Sequence, residues 1–291
     1  MAAFSLTLNA ACETRAMHIT PLTGTLGAEI TDVDLRDPAR FDAIREAFVE
    51  YSVITLRDQI LTPEDHIGFA ERFGTTNINR FFEASGTHPQ IVIVRKEPDQ
   101  KAAIGESWHT DHSYDTEPAL GSILHGIDIP PHGGDTVFVS MAAAYEALTE
   151  RYKEILSGLF AWHSSRHVFG AQTVGTEAEQ TGRVGNAEAA QQDALHPVVI
   201  RHPLSGRPGL YVNPQFTTRI DGLSEAESKS ILGFLFEHCQ QPEFQARVRW
   251  QPGDVTMWDN RATWHKAIND YHGYRRYMHR ITIEGCALSA A

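Results

Sequence analysis

The chain has 291 residues, 42% hydrophobic and 21% charged, a size and balance that allow one large domain with a substantial core. Its formal net charge is −12, which argues against a nucleic-acid or membrane-surface binder but leaves room for a small anion held by a local pair of arginines. Cys12, Cys239 and Cys286 are scattered and odd in number, so neither a disulfide framework nor a thiolate zinc site is expected.

No apolar run reaches the length of a membrane span. The opening MAAFSLTLNAACETRA lacks a charged segment followed by a sustained apolar core, so no signal peptide is expected, and a cytoplasmic location is. Residues 1–16 read as a loose leader, 17–286 as one domain and 287–291 as a tail. A strand-like pattern starts at MHITPLTGTLGAEI. DPARFDAIREAFVEY has helical spacing, with Phe41, Ile44 and Phe48 on one face. VITLRDQ follows as a strand. TPEDHIGFAERFG opens on Thr62 and Pro63, an N-cap and first-turn pair. QIVIVRK is a strand, and GSILHGIDIPPHGGDTVFVSM reads as two strands around a Pro/Gly turn. AAAYEALTERYKEILSGL is expected to be one helix.

Residues 171–194 differ: they are rich in Ala, Gln, Gly, Glu and Thr and poor in large apolar residues. Such a stretch inside a domain is either a functional lid or a disordered insertion. HPVVIRHP and GLYVN are strands. LSEAESKSILGFLFEHC is a helix with a capping box of Ser224 and Glu227. FQARVRWQPGDVTMWDN gives two strands, and YRRYMHRITIEG a last one. The elements suggest a single α+β domain with a barrel-like or two-sheet core and flanking helices.

The chemistry gathers at WHTDHSYD. Trp, Thr and Tyr favour a strand, and an extended chain puts His109 and Asp111 on one face and His112 on the other. An imidazole and a carboxylate on one face, with one distant histidine, make the facial triad that holds three positions of an octahedral iron and leaves three open. The C-terminal WDNRATWHKAINDYHGYRRYMHR offers His265, and also Arg276 and Arg280 on one face of a strand. Two arginines there imply bound anions, since guanidinium forks match carboxylates and sulfonates. Ordinary salt bridges would explain either arginine alone.

WHTD, GGDT, WDNRATWH and YRRYMHR in this order resemble the taurine/2,4-dichlorophenoxyacetate dioxygenase family, and the resemblance runs from about residue 17 to 285. It implies a double-stranded β-helix (jelly-roll) core with flanking helices and a lid. It implies an Fe(II)- and 2-oxoglutarate-dependent oxygenase in which His109, Asp111 and His265 hold the metal. Thr136 and Arg276 would take the far carboxylate of 2-oxoglutarate, and Arg280 the anionic group of the substrate. Phe169, Phe216 and Phe82 match aromatic pocket positions. Where the taurine branch has histidines after RFG, this chain has Asn77 and Asn79, and Gly105 replaces an asparagine; these departures count against taurine itself. Asn79 is accordingly expected at the substrate.

The implied reaction consumes O2, turns 2-oxoglutarate into succinate and CO2, and hydroxylates a small anionic organic substrate. If the hydroxylated carbon bears oxygen or sulfur, that bond then breaks, as with aryloxyalkanoates, alkyl sulfate esters or sulfonates. Asp111 favours hydroxylation over halogenation, which needs that position free. The resemblance also implies a homodimer or homotetramer. Two rival readings use the same residues: a metal-dependent hydrolase with an activated water, and a non-catalytic β-sandwich binding module. The hydrolase gives the arginine pair and GGDT no natural task, and the binding module would leave ligand binding and every turnover assay unchanged in Asp111→Ala.

Overall fold

The computed structural model describes residues 16–291. Cys12 and, apart from residue 16, the expected leader lie outside the described residues. The fold mixes α and β elements. Its largest sheet has eight strands, in the spatial order His18–Pro21, Ala28–Thr31, Val53–Leu56, Val255–Asp259, Gly121–Asp128, Arg276–Ile283, His88–Lys96 and Ala84–Ser85. Among the described strands, only Ala28–Thr31 and Val53–Leu56 pair in parallel.

Both faces of this sheet are covered, and strand alternation divides its residues between two cores. Ile54, Ile123, Met257 and Ile281 face outward, where the helices Phe41–Tyr51 and Pro63–Glu71 pack on them. Ile44, Ala47 and Phe48 form the buried stripe of the first helix. The second starts as expected at Thr62, whose hydroxyl accepts from the Asp65 backbone while the Asp65 carboxylate accepts from that of Thr62. Val53, Leu124, Trp258 and Met278 face inward. There they meet Phe138, Ala246 and Val248 of a three-stranded sheet formed by Gln245–Val248, Thr136–Ser140 and Thr263–Ala267. Arg276 and Arg280 share the inward parity of Met278, so both enter the space between the sheets.

The far side of the smaller sheet presents Val139 and Trp264 to a further core built from the helices Met141–Glu146, Glu150–Leu156 and Glu225–Cys239. The single helix expected over residues 142–159 is two. The first ends at Ala147, and the Thr149 hydroxyl accepts from Tyr152 N to start the second. A threonine that can cap competes with continuing the helix, and the break lets Leu148 enter the core. The expected tail is also held: Ser289–Ala290 pairs with Val199–Arg201.

Residues 171–194 are folded. They contain a helix, Glu177–Gln180, capped by Thr176, and a short turn, Ala187–Ala189. The Glu177 carboxylate accepts from the backbone of Lys101 (3.1 Å) and Ala102 (2.8 Å). Arg183, fully buried, donates to Ala102 O at 2.8 Å. Polar side chains anchor this segment where most of the fold uses apolar burial, so its composition reads as loose. No helix among the described residues is long and apolar enough to cross a membrane.

Candidate metal and anion site

Between the two sheets lies a cavity of about 330 Å3. Its lining includes every predicted site residue: His109, Asp111, His265, Thr136, Arg276, Arg280, Asn79, Phe82, Phe169 and Phe216. His109 and His265 are joined as an antiparallel bridge, with His109 N to His265 O at 3.1 Å and the reverse at 2.8 Å. The bridge sets their rings 4.1 Å apart. Asp111 Oδ1 lies 3.6 Å from His109 Nε2, and Oδ2 lies 3.9 Å from His265 Nε2. One donor atom from each falls within 4.8 Å of the others, the one such group among the described residues.

The donor set fits a divalent metal. His109 Nδ1 sits 2.7 Å from Ser107 O, so Nδ1 carries the hydrogen and Nε2 keeps its lone pair for a ligand. Burial lowers the pKa of both imidazoles, favouring the neutral ligating form. Burial opposes ionisation of Asp111, but Arg280, then His265, His109 and His112, outweigh it and hold the carboxyl well below the usual range. Ser122 Oγ donates to Asp111 at 3.0 Å.

The far end of the cavity fits a carboxylate. Arg276 is buried, and its Nε and Nη2 have no partner among the described residues. Burial lowers its pKa, opposed by Tyr271 and Asp135. Thr136 Oγ1 accepts from Trp250 Nε1 at 3.0 Å. An indole can only donate, so the threonine hydrogen is left for an acceptor. The GGDT motif makes room: Gly134 has φ +71°, and a Cβ there would stand 3.3 Å from Arg276 Cδ and 3.2 Å from Tyr271. Trp250 gave no signal in the sequence beyond being one more aromatic residue.

On the substrate side Phe82, Phe169 and Phe216 meet edge-on or tilted, with centroids 5.6 and 5.8 Å apart for successive pairs. A single π-helical turn, Arg166–Ala171, brings in Phe169, a device common at functional sites. Asn213 accepts from Phe216 N at 2.8 Å and so shapes the turn that carries Phe216. The Arg280 guanidinium lies 4.8 Å from the Phe82 ring and contacts Asp111 through Nη1 at 3.3 Å. Trp258 packs in the core between the sheets and also lines the cavity, 4.8 Å from the His265 ring.

The placement of His112 corrects the extended reading. The chain leaves the sheet after His109 and turns, and His112 takes φ 59°. Alternation therefore stops, and His112 lines the cavity instead of facing away. Tyr114, which the sequence did not single out, joins it there.

The family model described as "Taurine catabolism dioxygenase TauD, TfdA family" matches residues 18–282. An alkylsulfatase from Acinetobacter baylyi is 34% identical, across 94% of this chain and 86% of that protein. An alpha-ketoglutarate-dependent sulfate ester dioxygenase from Pseudomonas putida is 34% identical, across 92% and 90%. A taurine dioxygenase structure from Burkholderia xenovorans superposes with a TM-score of 0.78 at 32% identity, covering 94% of this chain and 93% of that one.

Proposed function

Given that the chain belongs to the TauD, TfdA family of Fe(II)- and 2-oxoglutarate-dependent dioxygenases, we propose that it hydroxylates a small alkyl sulfate ester at the carbon next to the ester oxygen. Iron(II), 2-oxoglutarate and O2 supply the chemistry that converts a C–H bond to C–OH, with succinate and CO2 as co-products. His109, Asp111 and His265 hold the iron. Arg276 and Thr136 fix the distal carboxylate of 2-oxoglutarate, and Arg280 takes the sulfate. Phe82, Phe169 and Phe216 enclose the carbon body. The hydroxylated carbon then releases its C–O bond, giving an aldehyde and sulfate.

The observation that carries this reading is one cavity holding a buried His/Asp/His set and two buried arginines with unpartnered nitrogens. A hydrolase would leave Arg276 and Thr136 without a task. Sulfate esters are favoured over aryloxyalkanoates because both relatives named above act on sulfate esters by name. On this reading the facing sheets are taken as a jelly-roll core and residues 171–194 as a lid over the cavity, supported by the contact of that segment with the cavity lining. The protein's contribution is positioning and exclusion of water.

The test is succinate release by the Fe(II) enzyme with 2-oxoglutarate and O2, across hexyl sulfate, 1-hexanesulfonate and phenoxyacetate. Hexyl sulfate is expected to stimulate release most, with hexanal and sulfate formed one for one with succinate. Stimulation by phenoxyacetate alone would overturn the substrate class.

A further inference from the structure

His112 stands next in the chain to Asp111, and nothing in the proposed chemistry uses it. Its backbone is left-handed at φ 59°, a conformation uncommon outside glycine that is retained where the surroundings demand it. The demand is visible in its contacts. His112 Nδ1 lies 2.9 Å from Asp115 Oδ2. A carboxylate only accepts, so Nδ1 carries a hydrogen, and in the neutral ring Nε2 presents a lone pair. Asp115 is itself gripped by Arg80, whose Nη2 donates to both of its oxygens at 2.7 and 2.8 Å.

The lone pair of His112 faces Asn79. Asn79 Oδ1 accepts from the backbone of Phe81 (2.9 Å) and Phe82 (3.1 Å). Those two donors fix which end of the amide is oxygen. The NH2 end therefore lies toward His112, with Nδ2 3.4 Å from Nε2. One amide hydrogen goes to His112. The other is uncommitted on a residue that lines the cavity.

We propose that His112 is a positioning residue: clamped by Asp115 and Arg80, it takes one hydrogen of Asn79 and turns the other onto the anionic head of the substrate, beside Arg280. The proposal rests on the oxygenase reading of this cavity and sharpens its substrate class. Asn79 stands where the taurine branch carries an imidazole, so the donor here is neutral. Arg280 is shared with Asp111, and Arg80 is matched by Asp115. The head-group site thus combines a single cation with a neutral N–H. That suits a monoanion such as a sulfate monoester or sulfonate and disfavours the dianion of a phosphate monoester.

The experiment compares wild type, His112→Ala, His112→Gln and Arg80→Gln, with hexyl sulfate as probe and succinate as readout. Loss of one oriented hydrogen bond in His112→Ala should raise the KM for hexyl sulfate about fivefold to tenfold. The KM for 2-oxoglutarate should stay at the wild-type value. Glutamine, whose amide oxygen can accept from Asn79, should restore most of the loss. Arg80→Gln, altered at the partly exposed end of the relay, should raise the same KM by a smaller factor and carries the test if His112→Ala does not fold. Hexyl phosphate should not stimulate succinate release in any variant.

An unchanged KM in His112→Ala, equal rises for both substrates, or turnover of hexyl phosphate by wild type would overturn the proposal. If wild type turns over no probe, the substrate reading falls, and the relay is then read directly. In zinc(II)-loaded protein labelled with 15N-asparagine, the two Asn79 side-chain hydrogens should exchange at different rates, and alike in His112→Ala. Identical spectra for the two proteins would overturn the relay.

Discussion

At the scale of single residues, charge is placed where burial makes it costly. Asp111 stays ionised because Arg280 and the neighbouring imidazoles offset the loss of water. Arg276 lacks such a carboxylate partner: its Nε and Nη2 are buried and unpaired, and burial works against its charge. A buried guanidinium in that state gains most from a ligand that brings two oxygens at fixed spacing. Arg276→Ala should therefore raise the KM for 2-oxoglutarate by a factor of about 10 to 100, the range for a buried charge-assisted pair. Succinate release titrated against 2-oxoglutarate measures it, and a normal KM would refute the assigned role. The same logic explains why glycine stands at position 134, where a Cβ would press on the arginine stem.

At the scale of elements, the segment 171–194 is held to the loop preceding His109 by two side chains. Glu177 bonds the backbone of Lys101 and Ala102, and Arg183 bonds the carbonyl of Ala102. Both strands of chain also line the cavity, through Thr176, Glu177 and Ala178 on one side and Ala102 to Gly105 on the other. Arg183→Met should free the segment while leaving the cores intact. Glu-C protease should then cut at Glu177, Glu179 or Glu188 about tenfold faster, following the population of the open form. Succinate release without substrate should rise in parallel. Cleavage at the wild-type rate would show that the latch does not hold the segment.

What could be read in advance follows the same division. Strand alternation put Arg276 and Arg280 on one face, and the strand Arg276–Ile283 pairs with His88–Lys96 without a break from Arg276 to Arg280. The same rule misplaced His112, because pairing at His109 lasts one residue and then turns. The helix expected over 142–159 followed apolar spacing, which carries no mark of the cap at Thr149. The polar anchoring of 171–194 was invisible because its partners, Ala102 O and the backbone of Lys101, are main-chain groups far along the chain.

At the scale of the whole molecule, the large sheet carries histidines on the face away from the site. His125 and His279 are cross-strand neighbours, and His66 from the helix Pro63–Glu71 lies over them, its ring 5.9 Å from that of His125. Burial, with the neighbouring imidazoles, pushes His66 down to about 3 and His125 down to about 4. These values lie below the ordinary histidine pKa near 6.5, so the unfolded chain binds protons that the folded one refuses. Stability is then fully present above about pH 6.5 and is lost as the pH falls from there toward the folded values. Each such histidine costs up to about 1.4 kcal/mol per pH unit in that window. Two of them should lower the unfolding free energy by roughly 2 kcal/mol between pH 6.5 and 5.5. Urea unfolding at the two pH values measures the drop. The metal-ligating histidines titrate with the same sign when iron is absent, so wild type alone does not isolate the cluster. His66→Leu does: it removes the most deeply buried imidazole of the cluster and should reduce the drop by about 1 kcal/mol. An equal drop in that variant would mean the acid sensitivity originates elsewhere, with the site rather than the back of the sheet as the next place to look.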